Sequence, residues 1–249
     1  MKIVLLLTGC INPNGMAYTS LNNTEERQKQ YINAILHYLK NTNYPVVFTE
    51  NSGIDISYLF QDAIDAGRLE YLTFQGNENK EKGKGYGECE IIRYALDNSK
   101  IIQSANEVRI VKITGRLVIK NISSIIFLHR VLSSKRTTFC MINSDFSFPD
   151  SRIIMAHIDF YRLFLKNQEK INDPQGYFFE HALGDTIKNE RKYPFSPFFL
   201  HPQIVGISGS TGKEYPVEPS SCAFNIRYAR FAVSQLHRFN KSYRPKYNI

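Results

Sequence analysis

In the first half of the chain, short strand-like segments alternate with amphipathic ones. Residues 3–7 are continuously apolar, and 45–49, 69–74 and 108–113 read as further strands, the last two interrupted by Glu70, Arg109 and Lys112. A continuous apolar run of this length suits a strand buried on both faces. Between the first two, Asn23 with Glu26 three residues on makes a helix start, and Tyr31, Ile32, Ile35, Leu36 and Leu39 then share one helical face. Ile56, Leu59, Phe60 and Ala63 mark a shorter helix, and Ile91, Ile92, Ala95 and Leu96 a third. Strands separated by helices require crossover connections, which are right-handed. The pattern therefore predicts an α/β, Rossmann-like fold with a mainly parallel central sheet flanked by helices.

The second half is less regular and reads as an elaboration. Residues 137–142 read as a strand, and 151–165, 178–187 and 223–239 as helices. Residues 124–132 are apolar, and 194–202 form a loop of prolines and aromatics. No Gly-, Ser- or Pro-rich linker interrupts the chain. The expectation is one domain over 1–249, with a nucleotide-binding half at 1–120 and an acceptor-binding half at 121–249.

Composition excludes several classes. With 249 residues, 43% hydrophobic and 22% charged, the chain has material for a full core, which rules out disorder. No apolar run reaches the roughly 18 residues that span a bilayer. Leu7-Thr8-Gly9-Cys10 looks like a lipoprotein cleavage box, but the apolar run before it has five residues. A signal core needs about 7–15, so this reads as the end of a buried strand. Cys10, Cys89, Cys140 and Cys222 form no Cys-x-x-Cys pair and read as reduced core thiols of a cytoplasmic protein. The formal charge of +8 suits nucleic acid, an anionic membrane face or a phosphorylated substrate. No nucleic-acid-binding signature is present. The basic residues densify at Arg227, Arg230, Arg238, Lys241, Arg244 and Lys246.

In an open α/β sheet, ligands bind beyond the carboxyl ends of the strands. That rule selects Thr8, Gly9 and Cys10 after the first strand, Glu50 and Asn51 after the second, Lys84 and Gly85 after the third, and Lys112, Thr114, Gly115 and Arg116 at the fourth. These offer close backbone approach, an acid for ribose or base, and cations for phosphate. Glycines at 83, 85 and 87 let backbone N–H groups point at an anion ahead of a helix, though not at the Gly-x-Gly-x-x-Gly spacing. Residues 206–213 miss the P-loop by one position, with Glu214 where Ser or Thr belongs. The six histidines show no metal-ligand spacing.

The order of these segments resembles the GT-A glycosyltransferases, particularly small bacterial enzymes of surface-polysaccharide and lipopolysaccharide assembly. The likeness is carried by Leu7-Thr8-Gly9, by Glu50 in Phe48-Thr49-Glu50-Asn51-Ser52-Gly53, and by Gly83-Lys84-Gly85 ahead of Glu90-Ile91-Ile92. It implies transfer of a sugar from a nucleotide-sugar to a saccharide or lipid-linked saccharide. Such enzymes commonly hold a divalent cation with Asp-x-Asp at the end of the fourth strand. Here Lys112-Ile113-Thr114-Gly115-Arg116 stands there, so Lys112, Arg116 or Lys84 is expected to balance the leaving diphosphate directly. The rival is a displaced manganese or magnesium motif at Asn143-Ser144-Asp145. A carboxylate base is also needed. Glu180, at the margin of an apolar helix face, ranks first, Asp150 next, then Asp145 and Asp173. Two other readings compete: a sugar-nucleotidyltransferase, and a non-enzymatic basic protein that binds nucleic acid. For the glycosyltransferase reading, the basic C-terminal helix is expected to touch the inner membrane face, with Phe224, Tyr228, Phe231, Ala232 and Phe239 packed inward.

Overall fold

The computed structural model describes residues 1–15, 20–216 and 219–244; Lys246 lies outside them. The elements in order are β1 (Lys2–Gly9), α1 (Thr24–Asn41), β2 (Val46–Glu50), α2 (Gln61–Asp65), β3 (Leu69–Thr73), α3 (Lys84–Asn98), α4 (Lys100–Gln103), β4 (Val108–Thr114), β5 (Val118–Ile119), α5 (Ile122–Leu132), β6 (Thr138–Phe139), β7 (Ile153–His157), α6 (Ile158–Phe164), α7 (Phe179–Asn189), β8 (Phe195–Ser196), β9 (Ile204–Val205) and α8 (Cys222–Tyr243). Seven strands form one sheet in the order β3-β2-β1-β4-β7-β6-β8; β5 and β9 pair separately. The β1–β2, β2–β3, β1–β4 and β6–β8 pairs are parallel, and β7 runs antiparallel to both of its neighbours. The mainly parallel α/β sheet expected from the alternation is therefore present.

The apolar runs explain the layering. Along β1, Val4 and Leu6 face one core and Leu5 and Leu7 the other, and all four are fully buried. The first core contains Ile92 and Leu96 of α3, Phe160 and Phe164 of α6, and Phe179 and Leu183 of α7. The second contains Tyr31, Ile35 and Tyr38 of α1 with Ile125 and Ile126 of α5. The start of α1 follows its sequence signature: the Asn23 side chain accepts from the Glu26 backbone N–H at 2.9 Å.

Several local expectations are corrected. The stretch 151–165 is not one helix, because Ile153–His157 is a strand in which Ile153, Ile154, Met155 and Ala156 are all fully buried. A strand covered on both faces is apolar at every position, so its periodicity does not distinguish it from a buried helix. The strand expected over 137–142 shortens to Thr138–Phe139. Residues 194–202, read as loop throughout, contain β8. On α8 the buried residues are Ala232, Gln235 and Phe239, while Phe231 is 51% exposed and Phe224 and Tyr228 rest half-buried against His201. Cys222 is exposed at the head of α8 rather than in the core. No helix among the described residues is long and apolar enough to cross a membrane.

Because Leu6 is fully buried on a central strand of the sheet, Leu6→Ala is expected to destabilise the fold by about 2–5 kcal/mol. Exposed Val233→Ala should stay within about 0.5 kcal/mol. Urea midpoints of the two variants check the contrast.

Candidate active site

A cleft of about 620 Å³ opens at the carboxyl ends of β1 and β4. Its lining includes Thr8, Gly9, Cys10, Asn51, Lys84, Gly85, Thr114 and Arg116 from the first half, and Asp150, Asp173 and Glu180 from the second. Glu50, Lys112, Gly115 and Asp145, also selected from sequence, do not line it. Arg27, Tyr31, Arg152, Tyr215 and residues 207–210 do, and were not selected.

The residues behind the wall shape it. Glu50 is fully buried, and its carboxylate accepts from Ile54 N–H (2.7 Å), Ser52 N–H (2.9 Å), the Ser52 hydroxyl (2.6 Å), the Thr73 hydroxyl (2.5 Å) and Ile11 N–H (3.4 Å). It knots the loops after β1 and β2. Gly115 donates its N–H to the Thr8 carbonyl at 2.8 Å, and a Cβ there would lie 2.6 Å from the same oxygen. Arg27 donates to the Cys10 carbonyl through Nε (2.8 Å) and Nη2 (2.5 Å), while Tyr31 Oη accepts from Cys10 N–H at 2.8 Å. The signal for Arg27 was its place on the apolar face of α1, one turn before Tyr31.

The glycine-rich start of α3 already holds an anion. Asp173 is buried, and its Oδ2 accepts from Gly85 N–H at 3.1 Å. A Cβ at Gly83, whose φ is +93°, or at Gly85 would collide with that carboxylate. The glycines thus make room for Asp173 at a helix N-terminus, where a carboxylate is favoured. Burial nevertheless raises the Asp173 pKa above its ordinary value, against the opposing pull of Gly85 N–H and Lys84.

The cations divide into two kinds. Arg152 is paired with Asp150 (Nε–Oδ1 2.9 Å, Nη2–Oδ2 2.5 Å) and lies 4.6 Å over the Tyr215 ring. Arg116 and Lys84 have no carboxylate within salt-bridge distance among the described residues. Arg116 Nη1 donates to the Ile207 carbonyl (2.9 Å) and to Gln30 Oε1 (3.2 Å), and Lys84 donates to the Ser210 hydroxyl. Both partners on the second half belong to the near-miss P-loop at 206–213, within the segment 206–215. It is a hairpin, closed by Ser208 N–H to Lys213 O at 2.8 Å and Tyr215 N–H to Gly206 O at 2.9 Å. At Gly209 a Cβ would stand 2.4 Å from Arg116 Nη2, so the hairpin rests on the guanidinium where it has no side chain.

On the side of β4 facing α3 and α7 lie two more carboxylates. Glu88 accepts from the Thr8 hydroxyl at 2.9 Å and pairs with the fully buried ammonium of Lys112. Lys112 also donates to the Ser151 carbonyl at 2.6 Å, and the Ser151 hydroxyl donates to Glu180 Oε1 at 2.5 Å. Burial raises the Glu180 pKa; the Ser151 hydroxyl opposes this, Glu88 adds to it, and Lys112 opposes it. Asp145 lies outside the cleft, exposed, accepting from the Ser147 N–H (2.9 Å) and hydroxyl (2.7 Å).

These donors do not fit a resident divalent cation. The end of β4 carries an ammonium and a guanidinium where a metal would need carboxylates, and Asp145 is turned to Ser147. No group of three His, Cys, Asp or Glu side chains able to hold a metal exists among the described residues.

No protein-family model and no curated protein matches this sequence. Solved structures do resemble it. The glycosyltransferase GlyE of Streptococcus pneumoniae TIGR4 matches with a TM-score of 0.51 at 11% identity, over 100% of this chain and 66% of that one. A cytidylyltransferase of Leptospira borgpetersenii matches at 12% identity over 97% and 94% of the two chains, with a TM-score of 0.44. Mouse xyloside xylosyltransferase 1 matches at 10% identity over 78% and 83%, with a TM-score of 0.38. The chain has a GT-A-like fold. At these identities the likeness is one of architecture, and the activity must be argued from the cleft.

Glu50→Ala is expected to cost about 3 kcal/mol or more, since several buried donors lose an acceptor worth about 1–3 kcal/mol each. Asp173→Asn, which keeps an acceptor for Gly85 N–H, should cost less than about 1 kcal/mol. Chemical denaturation of both variants tests whether the first carboxylate is scaffold and the second is replaceable.

Proposed function

We propose that this chain is a glycosyltransferase that takes a sugar from a nucleotide-sugar donor and passes it to a hydroxyl of a saccharide or lipid-linked saccharide. The observation that carries the reading is a single cleft holding both Arg116 and Lys84, whose protein partners are neutral, and the half-buried carboxylate of Glu180. The donor's diphosphate belongs with the two cations, which form charge-assisted bonds to phosphate stronger than those to a carbonyl or hydroxyl. Residues 1–120 then supply most donor contacts and 121–249 the acceptor side. Thr8, Gly9, Cys10, Asn51 and Thr114 border the donor space. Glu50 and Gly115 act by holding that border in shape.

In this reading Glu180 takes the proton of the acceptor hydroxyl as its oxygen bonds to the anomeric carbon. The bond from that carbon to the diphosphate oxygen breaks, and the electron pair leaves with the nucleoside diphosphate beside Arg116 and Lys84. The raised Glu180 pKa supports a base that matches neutral pH better than an ordinary carboxylate. Asp150, engaged by Arg152, serves to aim that guanidinium. The metal role common in this fold passes to protein cations.

Thermal shift with UDP-, GDP-, CMP- and dTDP-sugars, with and without manganese, identifies the donor, since a ligand bound only by the native state raises the melting temperature. Glu180→Gln should lower kcat about 10²–10⁴-fold with donor affinity unchanged, and Arg116→Ala should weaken the donor by about tenfold or more. The wild-type rate should climb with pH through a midpoint above the ordinary 4.5 of a glutamate, because only the ionised carboxylate accepts the proton. Loss of activity in EDTA, restored by manganese, would overturn direct cationic stabilisation. Pyrophosphate release from a nucleoside triphosphate and a sugar phosphate would instead establish a nucleotidyltransferase.

Support for a lipid-linked acceptor at the cytoplasmic membrane face, as in bacterial surface-polysaccharide assembly, comes from α8. It carries Arg227, Arg230, Arg238 and Lys241 with no acidic residue, and exposes Ile226, Phe231 and Val233. Each basic residue near an anionic leaflet contributes about 1 kcal/mol. Sedimentation with phosphatidylglycerol vesicles is therefore expected, and Arg227→Gln with Arg230→Gln should weaken it at least about tenfold.

A further inference from the structure

Lys112 occupies the strand end where the fold's usual metal motif would stand, yet its ammonium is fully buried behind the cleft lining and does not itself line it. Its partners are the Glu88 carboxylate on α3 and the Ser151 carbonyl at 2.6 Å, with the Phe179 ring 5.4 Å away. A buried ammonium persists only when paired and hydrogen-bonded. Both partners lead back to the cleft: Glu88 receives the Thr8 hydroxyl at 2.9 Å, and the hydroxyl of Ser151 reaches Glu180 Oε1 at 2.5 Å. One cation thus stands behind two carboxylates, each of which lines the cleft.

We infer that Lys112 is a positioning residue for Glu180, holding Glu88 and the Ser151 peptide so that the Ser151 hydroxyl fixes Glu180 Oε1 and leaves proton uptake to Oε2. It is not a phosphate ligand. This deepens the proposed function, since it names what orients and tunes the base. The charged groups acting on Glu180 are Glu88 from α3 and Lys112 from β4; the segment before β7 contributes the Ser151 hydroxyl, and the nearby Asp150–Arg152 pair is internally neutral. Without the ammonium, Glu88 and Glu180 become like charges with no cation between them, and such a pair resists losing its second proton. Without the Ser151 hydroxyl, the ionised form of Glu180 loses a donor. Both changes push the Glu180 midpoint upward.

The deciding titration needs no substrate. Protein labelled with ¹³C at glutamate carboxylates is titrated by NMR as wild type, Lys112→Met and Ser151→Ala, the Glu180 signal being assigned by its loss in Glu180→Gln. In both variants the Glu180 midpoint should rise by about one pH unit. Calorimetry with the nucleoside diphosphate of the donor found by thermal shift should give Lys112→Met an affinity within about threefold of wild type. Should Lys112→Met fail to fold, Lys112→Gln, which keeps a donor for the Ser151 carbonyl but removes the charge, takes its place in the same titration. An unmoved Glu180 midpoint overturns the inference, as does a Lys112→Met protein that loses nucleotide while its Glu180 titrates normally. A failure of the glycosyltransferase reading appears separately, as the absence of sugar transfer with Glu180 still titrating as described. Where transfer is measured, the acidic limb of the rate profile should move with the NMR midpoint; a uniform loss of kcat at every pH would mark a purely structural role.

Discussion

The site depends on how β1 and β4 end side by side. Thr8 pairs with Thr114 at the last register position of the two strands, and the next residue, Gly115, donates back to the Thr8 carbonyl at 2.8 Å. A side chain at 115 would strike that carbonyl, so the close turn requires glycine. From this junction Arg116 continues into the cleft wall and Gly9 and Cys10 form the neighbouring edge. Glu50, in register with Gly9, draws the loop after β2 onto the same edge through backbone donors. One strand pairing and one buried carboxylate therefore fix the rim before any ligand contributes.

Much of this was legible in the sequence, because strand-like segments there alternate with amphipathic helices. β1 is an uninterrupted apolar run buried on both faces, β4 breaks such a run with the buried Arg109 and Lys112, and β3 is mostly half-buried, yet the alternation located all three, with β2 and the helices between them, and so the end of the sheet where the cleft lies. β7 escaped for the same reason that β1 was found: full burial erases the alternation that separates strand from helix, and only the neighbouring strands decide. Phe231 shows the converse. Its spacing placed it with Phe239, but α8 buries a narrow stripe around Ala232 and Gln235 and leaves Phe231 outside.

What spacing could not show was which charges are already answered. The glycines at 83 and 85 have the form of an anion cradle and are one, but the anion is Asp173, 88 residues from Gly85 in sequence. Lys112 has the form of a phosphate ligand, but Glu88 and Ser151 meet it first. Asp150 looks like a free base until Arg152, two residues on, folds onto it. In each case the partner was supplied by a distant or tightly turned segment that spacing does not reveal.

Removing the answered charges leaves a short remainder. Arg152 is neutralised by Asp150 and Lys112 by Glu88, while Arg27 is tied down by the Cys10 and Leu21 carbonyls, which hold it in place without cancelling its charge. Arg116 and Lys84 are held by neutral oxygens, and those on the second half all sit on the 206–215 hairpin. Neutral acceptors satisfy hydrogen bonds without cancelling charge, so Arg116 and Lys84 keep theirs, with the Asp173 carboxylate also acting on Lys84. An incoming diphosphate offers both cations a stronger partner than the hairpin does. The hairpin is held by these two cations and also by Ser20, whose N–H donates to the Gly209 carbonyl at 3.0 Å and whose hydroxyl donates to the Ser210 carbonyl at 2.6 Å. Under the proposed function, a donor diphosphate would compete with the hairpin for Arg116 and Lys84, while the Ser20 bonds would keep the hairpin in place.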